Sequence, residues 1–115
     1  MSDPLDLKKY VRTVEDFPIP GIQFKDITSL IETPKAFVKT CNELTRVSAE
    51  FNSTLVASIE SRGFIFAGSI AHDLELPFVL ARKPGKLPNE TFQKSFDLEY
   101  GSTSIEIQKN TQITE

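Results

Sequence analysis

The chain has 115 residues, of which 39% are hydrophobic and 25% charged, ordinary proportions for a globular protein and enough for one small domain. That composition excludes a wholly disordered chain, and the net charge of -3 argues against a general nucleic-acid binder, which shows a basic face. No apolar run reaches membrane-span length, residues 1–10 carry no signal-peptide core, and the single cysteine, Cys41, forms no intramolecular disulfide or cysteine metal cluster; a reduced, cytoplasmic compartment is expected.

Ser2 or Asp3 is suited to cap a first helix, with Pro4 in its first turn. Leu7, Tyr10, Val11 and Val14 follow an i, i+3, i+4, i+7 pattern, which predicts one amphipathic helix about three turns long. Phe17-Pro18-Ile19-Pro20-Gly21 ends it in a rigid, extended turn. Ile22 to Ile27 alternates apolar and polar residues and predicts a short strand or strand-like loop. A second helix starts at Thr33-Pro34, with Phe37, Val38, Cys41, Leu44, Thr45, Ser48 and Phe51 on one face, and closes at Asn52 and Ser53.

Leu55 to Ile59 is predicted to be a buried parallel strand. The polar turn Glu60-Ser61-Arg62-Gly63 follows, then a helix from Phe64 to Glu75 with Phe64, Ala67, Ala71 and Leu74 on one face. Pro77 breaks that helix, and Phe78 to Ala81 is another buried strand. The whole is a βαβ unit. Residues 82–94 form a loop rich in lysine, proline and glycine. Phe96, Leu98 and Tyr100, then Ile105 and Ile107, alternate with polar residues around Gly101 and Ser102, which predicts a β-hairpin. The polar residues 110–115 close nothing. A parallel sheet of two or three strands leaves its faces uncovered, so the strand and helix expected next are missing and the chain reads as cut.

Four constellations carry chemistry. Glu60-Ser61-Arg62-Gly63 lies where a strand meets a helix N-terminus, a place that favours anions, and Arg62 adds a forked cation suited to phosphate. Alone, the short tetrapeptide reads as a plain βα turn with an exposed arginine. Arg82, Lys83 and Lys86, spaced by Pro84 and Gly85, also follow a strand end; they make either a phosphate-binding lid or a solvated basic loop, and the position favours the lid. Glu99 on the hairpin has the chemistry of a general acid or base, although by itself it reads as an exposed glutamate. Phe24, after the rigid turn, is able to present its ring to a flat base, but alone reads as core. His72 has no second ligand at metal spacing and is expected to be structural; Cys41 is expected to be buried and inert.

Taken together and in order, these blocks are more specific. Asp16 to Gly21 with Phe24-Lys25-Asp26-Ile27, Glu60 to Phe64, Arg82 to Pro88, Leu98-Glu99-Tyr100-Gly101 and Glu106-Ile107-Gln108-Lys109 closely resemble the adenine phosphoribosyltransferases of the type I phosphoribosyltransferase family, in their N-terminal portion. The resemblance implies an α/β fold: a parallel sheet flanked by helices, with a β-hairpin flap and the C-terminal part of the fold missing. It divides the chain into a hood and adenine-contact segment (1–33), a helix plus βαβ core (34–83) and a flexible loop with hairpin (84–109).

The resemblance also implies conversion of adenine and phosphoribosyl pyrophosphate to AMP and pyrophosphate with Mg²⁺, by a cytoplasmic homodimer serving purine salvage, with no nucleic-acid or membrane partner. Phe24 would stack on adenine, with the backbone at Gln23 and Lys25 reading the base edge. Glu60, Ser61, Arg62 and Gly63 would form the pyrophosphate loop, with a cis peptide at Glu60–Ser61. Arg82, Lys83 and Lys86 would meet the pyrophosphate, in part across the dimer. Glu99 would be the acid/base near the purine N7 and Tyr100 its neighbour on the flap. Nothing here matches the family's glycine- and threonine-rich ribose-phosphate loop, so the 115-residue chain alone is expected to be inactive. The competing expectation is a non-catalytic dimerisation or interaction module.

Overall fold

A computed structural model describes residues 5–98 and 101–109. The chain divides after Glu43 into two compact units. In the first, a 3-10 turn spans Leu7–Tyr10, with Asp6 Oδ1 accepting from the Lys8 amide at 3.1 Å. Strand β1 (Arg12–Glu15) then pairs antiparallel with β2 (Gln23–Asp26), in register Arg12↔Asp26 and Val14↔Phe24.

The first helix expected from the periodicity is therefore replaced by a single 3-10 turn and a strand. Val11, Thr13 and Val14 are β-branched and favour extended backbone. The proline-rich turn also folds β2 back alongside, giving residues 12–15 a ladder partner that a helix would leave unpaired. Across that ladder, Arg12 Nη2 meets Asp26 Oδ2 at 3.0 Å and Lys25 Nζ donates to Thr13 Oγ1 at 2.7 Å. The predicted caps at residues 2–4 lie outside the described residues. The turn itself is tight: Phe17–Pro18 is cis, Asp16 has φ 56° and Gly21 φ 92°. Asp16 Oδ1 accepts from the Gly21 amide at 2.9 Å, closing the loop.

A five-residue helix, α1 (Thr28–Glu32), was not expected from the sequence. Asp26 starts it by accepting from both the amide and the hydroxyl of Thr28, a capping geometry that satisfies an otherwise orphaned N–H. Helix α2 (Pro34–Glu50) begins with the predicted proline and ends two residues before Asn52, whose φ is 53°. Its predicted apolar face is only partly covered. Ala36 and Cys41 are buried, whereas Val38 is 55% and Phe51 78% exposed.

In the second unit, β3 (Val56–Ile59) and β4 (Phe78–Ala81) pair in parallel, from Val56↔Phe78 to Ile59↔Ala81. They are joined by α3 (Arg62–Leu74), the predicted βαβ unit. Ala67 and Ala71 are buried, and Phe64 meets Phe78 edge to face at 5.8 Å. Glu75 ends α3 with φ 54° before Pro77. The strands are less buried than their apolar runs implied. Ile59 is 50% and Leu80 38% exposed, because a strand pair this small has too few neighbours to cover both faces. Ala57, Ile59, Ala81, Ile105 and Ile107 line an open apolar hollow of about 480 Å³.

The hairpin consists of β5 (Thr91–Leu98) and β6 (Gly101–Gln108). Leu98 pairs with Gly101 and Asp97 with Ser102. Gly101 and Ser102, expected between the strands, are thus the start of β6. The longer ladder gives these backbone groups cross-strand partners that a turn at 101–102 would forfeit. Beyond β4 the chain continues beside β6: Arg82 N donates to Glu106 O at 3.0 Å, and Glu106 N to Arg82 O at 2.8 Å.

Candidate active site

The second unit places Glu60, Arg82 and Lys83 where the parallel strands end, the edge at which open α/β sheets bind ligands. Glu60 follows β3, and its amide extends the ladder by donating to Ala81 O at 2.9 Å. The Glu60–Ser61 peptide is cis, and α3 begins one residue later at Arg62. Gly63 lets the helix lie close against β3: a Cβ placed there would sit 2.2 Å from Ser58 Oγ. The turn thus delivers a helix N-terminus, with its partial positive charge, to the strand edge.

The Glu60 side chain is only 12% exposed. One oxygen accepts from the Lys83 amide, and the other lies 3.5 Å from Arg82 Nη2. The Lys83 backbone bond first, then the charges of Arg82 and Lys86, hold its carboxyl below the usual carboxylate range. Glu60 is therefore a fixed anion that braces the cations rather than a proton donor. Arg82 is 33% exposed at its side chain, and its Nε is buried without a hydrogen-bond partner among the described residues. A buried donor left unpaired in this way is uncommon in folded proteins.

The basic loop is built on one β-turn. Lys86 N donates to Lys83 O at 3.3 Å, with Pro84 next and Gly85 at φ 84°. Proline then glycine at the two central positions is the chemistry of a type II turn, whose second central residue requires positive φ. The turn brings Lys83 and Lys86 together at its two ends, both exposed. The structure therefore unites Glu60, Ser61, Arg82, Lys83 and Lys86 along one strand edge, with Arg62 and Gly63 opening the helix beside them.

Phe24, Gln23 and Lys25 lie on β2 of the first unit. Phe24 is half-buried and meets Phe17 edge to face at 5.1 Å. Gln23 and Lys25 are two residues apart, so their backbone groups point to the same side of the strand. Asp26, whose carboxylate is held below the usual range by the Thr28 hydroxyl, the Thr28 amide and Arg12, fixes the end of β2. Glu99 and Tyr100 lie outside the described residues. Cys41 is buried as expected, whereas the His72 side chain is 89% exposed beside Asp73 and is no part of a core.

Sequence reasoning missed three contributors. Phe17, which flanks Phe24, was legible as an aromatic before the prolines. Glu106 and Gln108 contact the basic loop; both stood in the block Glu106 to Lys109 that carried the family resemblance, but without a role.

A βαβ crossover with a cationic turn at its carboxyl edge defines an α/β protein whose candidate site lies at the strand ends. Known proteins narrow this class. No family profile matches the chain. It is 48% identical over 103 residues to the adenine phosphoribosyltransferase of Methanococcus maripaludis, covering 90% of this chain and 60% of that protein. The enzyme of the same name from Carboxydothermus hydrogenoformans is also 48% identical over 103 residues. Among solved structures, the Giardia lamblia enzyme complexed with 9-deazaadenine superposes with a TM-score of 0.86 at 40% identity, covering 92% of this chain and 59% of that one. The adenine phosphoribosyltransferase of Thermoanaerobacter pseudethanolicus gives 0.84 at 42% identity. In sequence and fold, the chain corresponds to a part of the adenine phosphoribosyltransferases amounting to about 60% of their length.

Proposed function

We propose that this chain serves adenine phosphoribosyl transfer, in which adenine and phosphoribosyl pyrophosphate give AMP and pyrophosphate. The observation that carries the reading is the strand-edge cluster, where Glu60 braces Arg82 and Lys83 beside the N-terminus of α3. In the reaction the bond from ribose C1 to the pyrophosphate oxygen breaks, the bond to adenine N9 forms, and adenine loses a proton. The ribose passes through a cationic, oxocarbenium-like state while negative charge builds on the leaving group. Arg82, Lys83, Lys86 and the turn at Glu60 to Gly63 stabilise that leaving charge, and fixed donors do so best in a water-poor site.

Phe24 stacks on adenine, and the backbone at Gln23 and Lys25 reads its edge. Glu99 manages the proton at N7, with Tyr100 beside it. Among the described residues no three His, Cys, Asp or Glu side chains converge as a metal cage. Mg²⁺ enters with the phosphates of the substrate, which is its usual habit. No described helix is long and apolar enough to cross a membrane. A cytoplasmic homodimer serving purine salvage completes the reading.

The test is direct. The protein that carries this sequence, isolated from its source, is incubated with labelled adenine and phosphoribosyl pyrophosphate. Label in AMP, requiring both substrates, is expected. Failure to form AMP refutes the proposal.

A further inference from the structure

The basic loop is held along β6 by side chains with no assigned role. Strand periodicity places Glu106 and Gln108 on one face of β6 and Ile105 and Ile107 on the other, where the two isoleucines line the apolar hollow. Glu106 Oε1 accepts from the Gly85 amide at 3.1 Å. Gly85 is the second central residue of the turn, and its N–H lies outside the turn's own closing bond. Two residues along, Gln108 Oε1 accepts from the Asn89 amide at 3.3 Å and from Asn89 Nδ2 at 3.2 Å. The backbone completes the seam, with Arg82 bonded both ways to Glu106 and Lys109 N donating to Glu90 O at 2.9 Å.

We propose that Glu106 and Gln108 are positioning residues, lashing the basic loop to the hairpin so that Lys83 and Lys86 are set for an anion before it arrives. The inference rests on the reading of that loop as the pyrophosphate site. Loop residues 85–89 contain glycine and proline but no secondary structure of their own. Their order comes from the turn at Lys83 to Lys86, from the backbone bonds of the seam and from the side-chain anchors Glu106 and Gln108. Binding a phosphate with pre-placed cations avoids the ordering cost that a free loop would incur. The same seam joins the loop to β6 and through it to the hairpin, so movement of one is transmitted to the other.

The experiment compares Glu106→Ala, Glu106→Gln and Gln108→Ala with the unaltered chain, using amide hydrogen exchange and titration with inorganic pyrophosphate. Circular dichroism first confirms that each variant folds, and Glu106→Gln, which keeps the acceptor oxygen, remains informative if the alanine variant does not. Glu106→Ala is expected to release the Gly85 amide to exchange while sparing Asn89, and Gln108→Ala to do the reverse. Each should weaken pyrophosphate binding roughly five- to tenfold, the scale of one lost hydrogen bond with a charged or well-placed partner. Glu106→Gln should restore both Gly85 protection and affinity.

Unchanged exchange at Gly85 in Glu106→Ala overturns the inference, as does affinity that survives both alanine variants or fails to return in Glu106→Gln. If the unaltered chain binds no pyrophosphate, the anion assignment of the loop falls and takes this inference with it. That result is distinct from loss confined to the variants.

Discussion

Replacing Gly63 with alanine tests how closely α3 must approach β3. Gly63 has ordinary helical backbone, so the requirement is for space and not for an unusual dihedral. The added Cβ would lie 2.2 Å from Ser58 Oγ but an ordinary 3.6 Å from Ser58 Cβ. The conflict is thus with one hydroxyl. Glycine to alanine in a helix otherwise gains up to about 1 kcal/mol, while overpacking typically costs about 1–3 kcal/mol. The expected net loss is about 1 kcal/mol, or roughly 4–8 °C in Tm for a domain of this size. Ser58→Ala removes the obstructing oxygen, so Ser58→Ala/Gly63→Ala should be as stable as Ser58→Ala alone or slightly more so. Thermal melts of the four proteins give the coupling between the two sites. A Gly63→Ala chain as stable as the original, with no coupling in the cycle, would refute the close-approach argument.

Three further outcomes are expected. Phe24→Ala should weaken adenine binding roughly tenfold or more, the scale of a lost base-aromatic stack, with Phe17→Ala weaker in effect; calorimetric titration distinguishes them. Asp26 and Glu60 have carboxyls held below the usual range. The stability they contribute is therefore complete above that range and lost as pH falls through their lowered folded values. Carboxyl NMR titration should place both midpoints low, and ordinary or raised midpoints would contradict the bracing roles. Glu99→Gln, in the protein active for AMP synthesis, should lower turnover more than adenine binding; loss of binding alone would remove its acid/base role.

The βαβ unit was legible because two short apolar runs flank a helical pattern bounded by polar turns and Pro77. The stretch around Val11 to Val14 misled because its spacing fits a helix while its β-branched residues fit a strand, and the choice depends on β2, which the turn brings back alongside. Helix α1 was hidden by its length: five residues carry no period, and its cap comes from Asp26 at the end of a strand. In the site, residue types were readable but their alliances were not. Glu60 stood out in its turn, yet its role as a brace depends on Lys83, which arrives through the parallel pairing of β3 and β4. Glu106 and Gln108 were still less visible, since their partners are backbone amides twenty or so residues away.

The central claim is that the turn at Glu60 to Gly63 and the turn at Lys83 to Lys86 form one anion site. The most direct measurement is titration of the 15N-labelled chain with pyrophosphate, following amide shifts by NMR. Saturable shifts at residues 60–64 and 82–86, with a common affinity that Arg82→Ala abolishes, are predicted. Shifts that appear elsewhere, that follow different affinities at the two turns, or that persist in Arg82→Ala would contradict it.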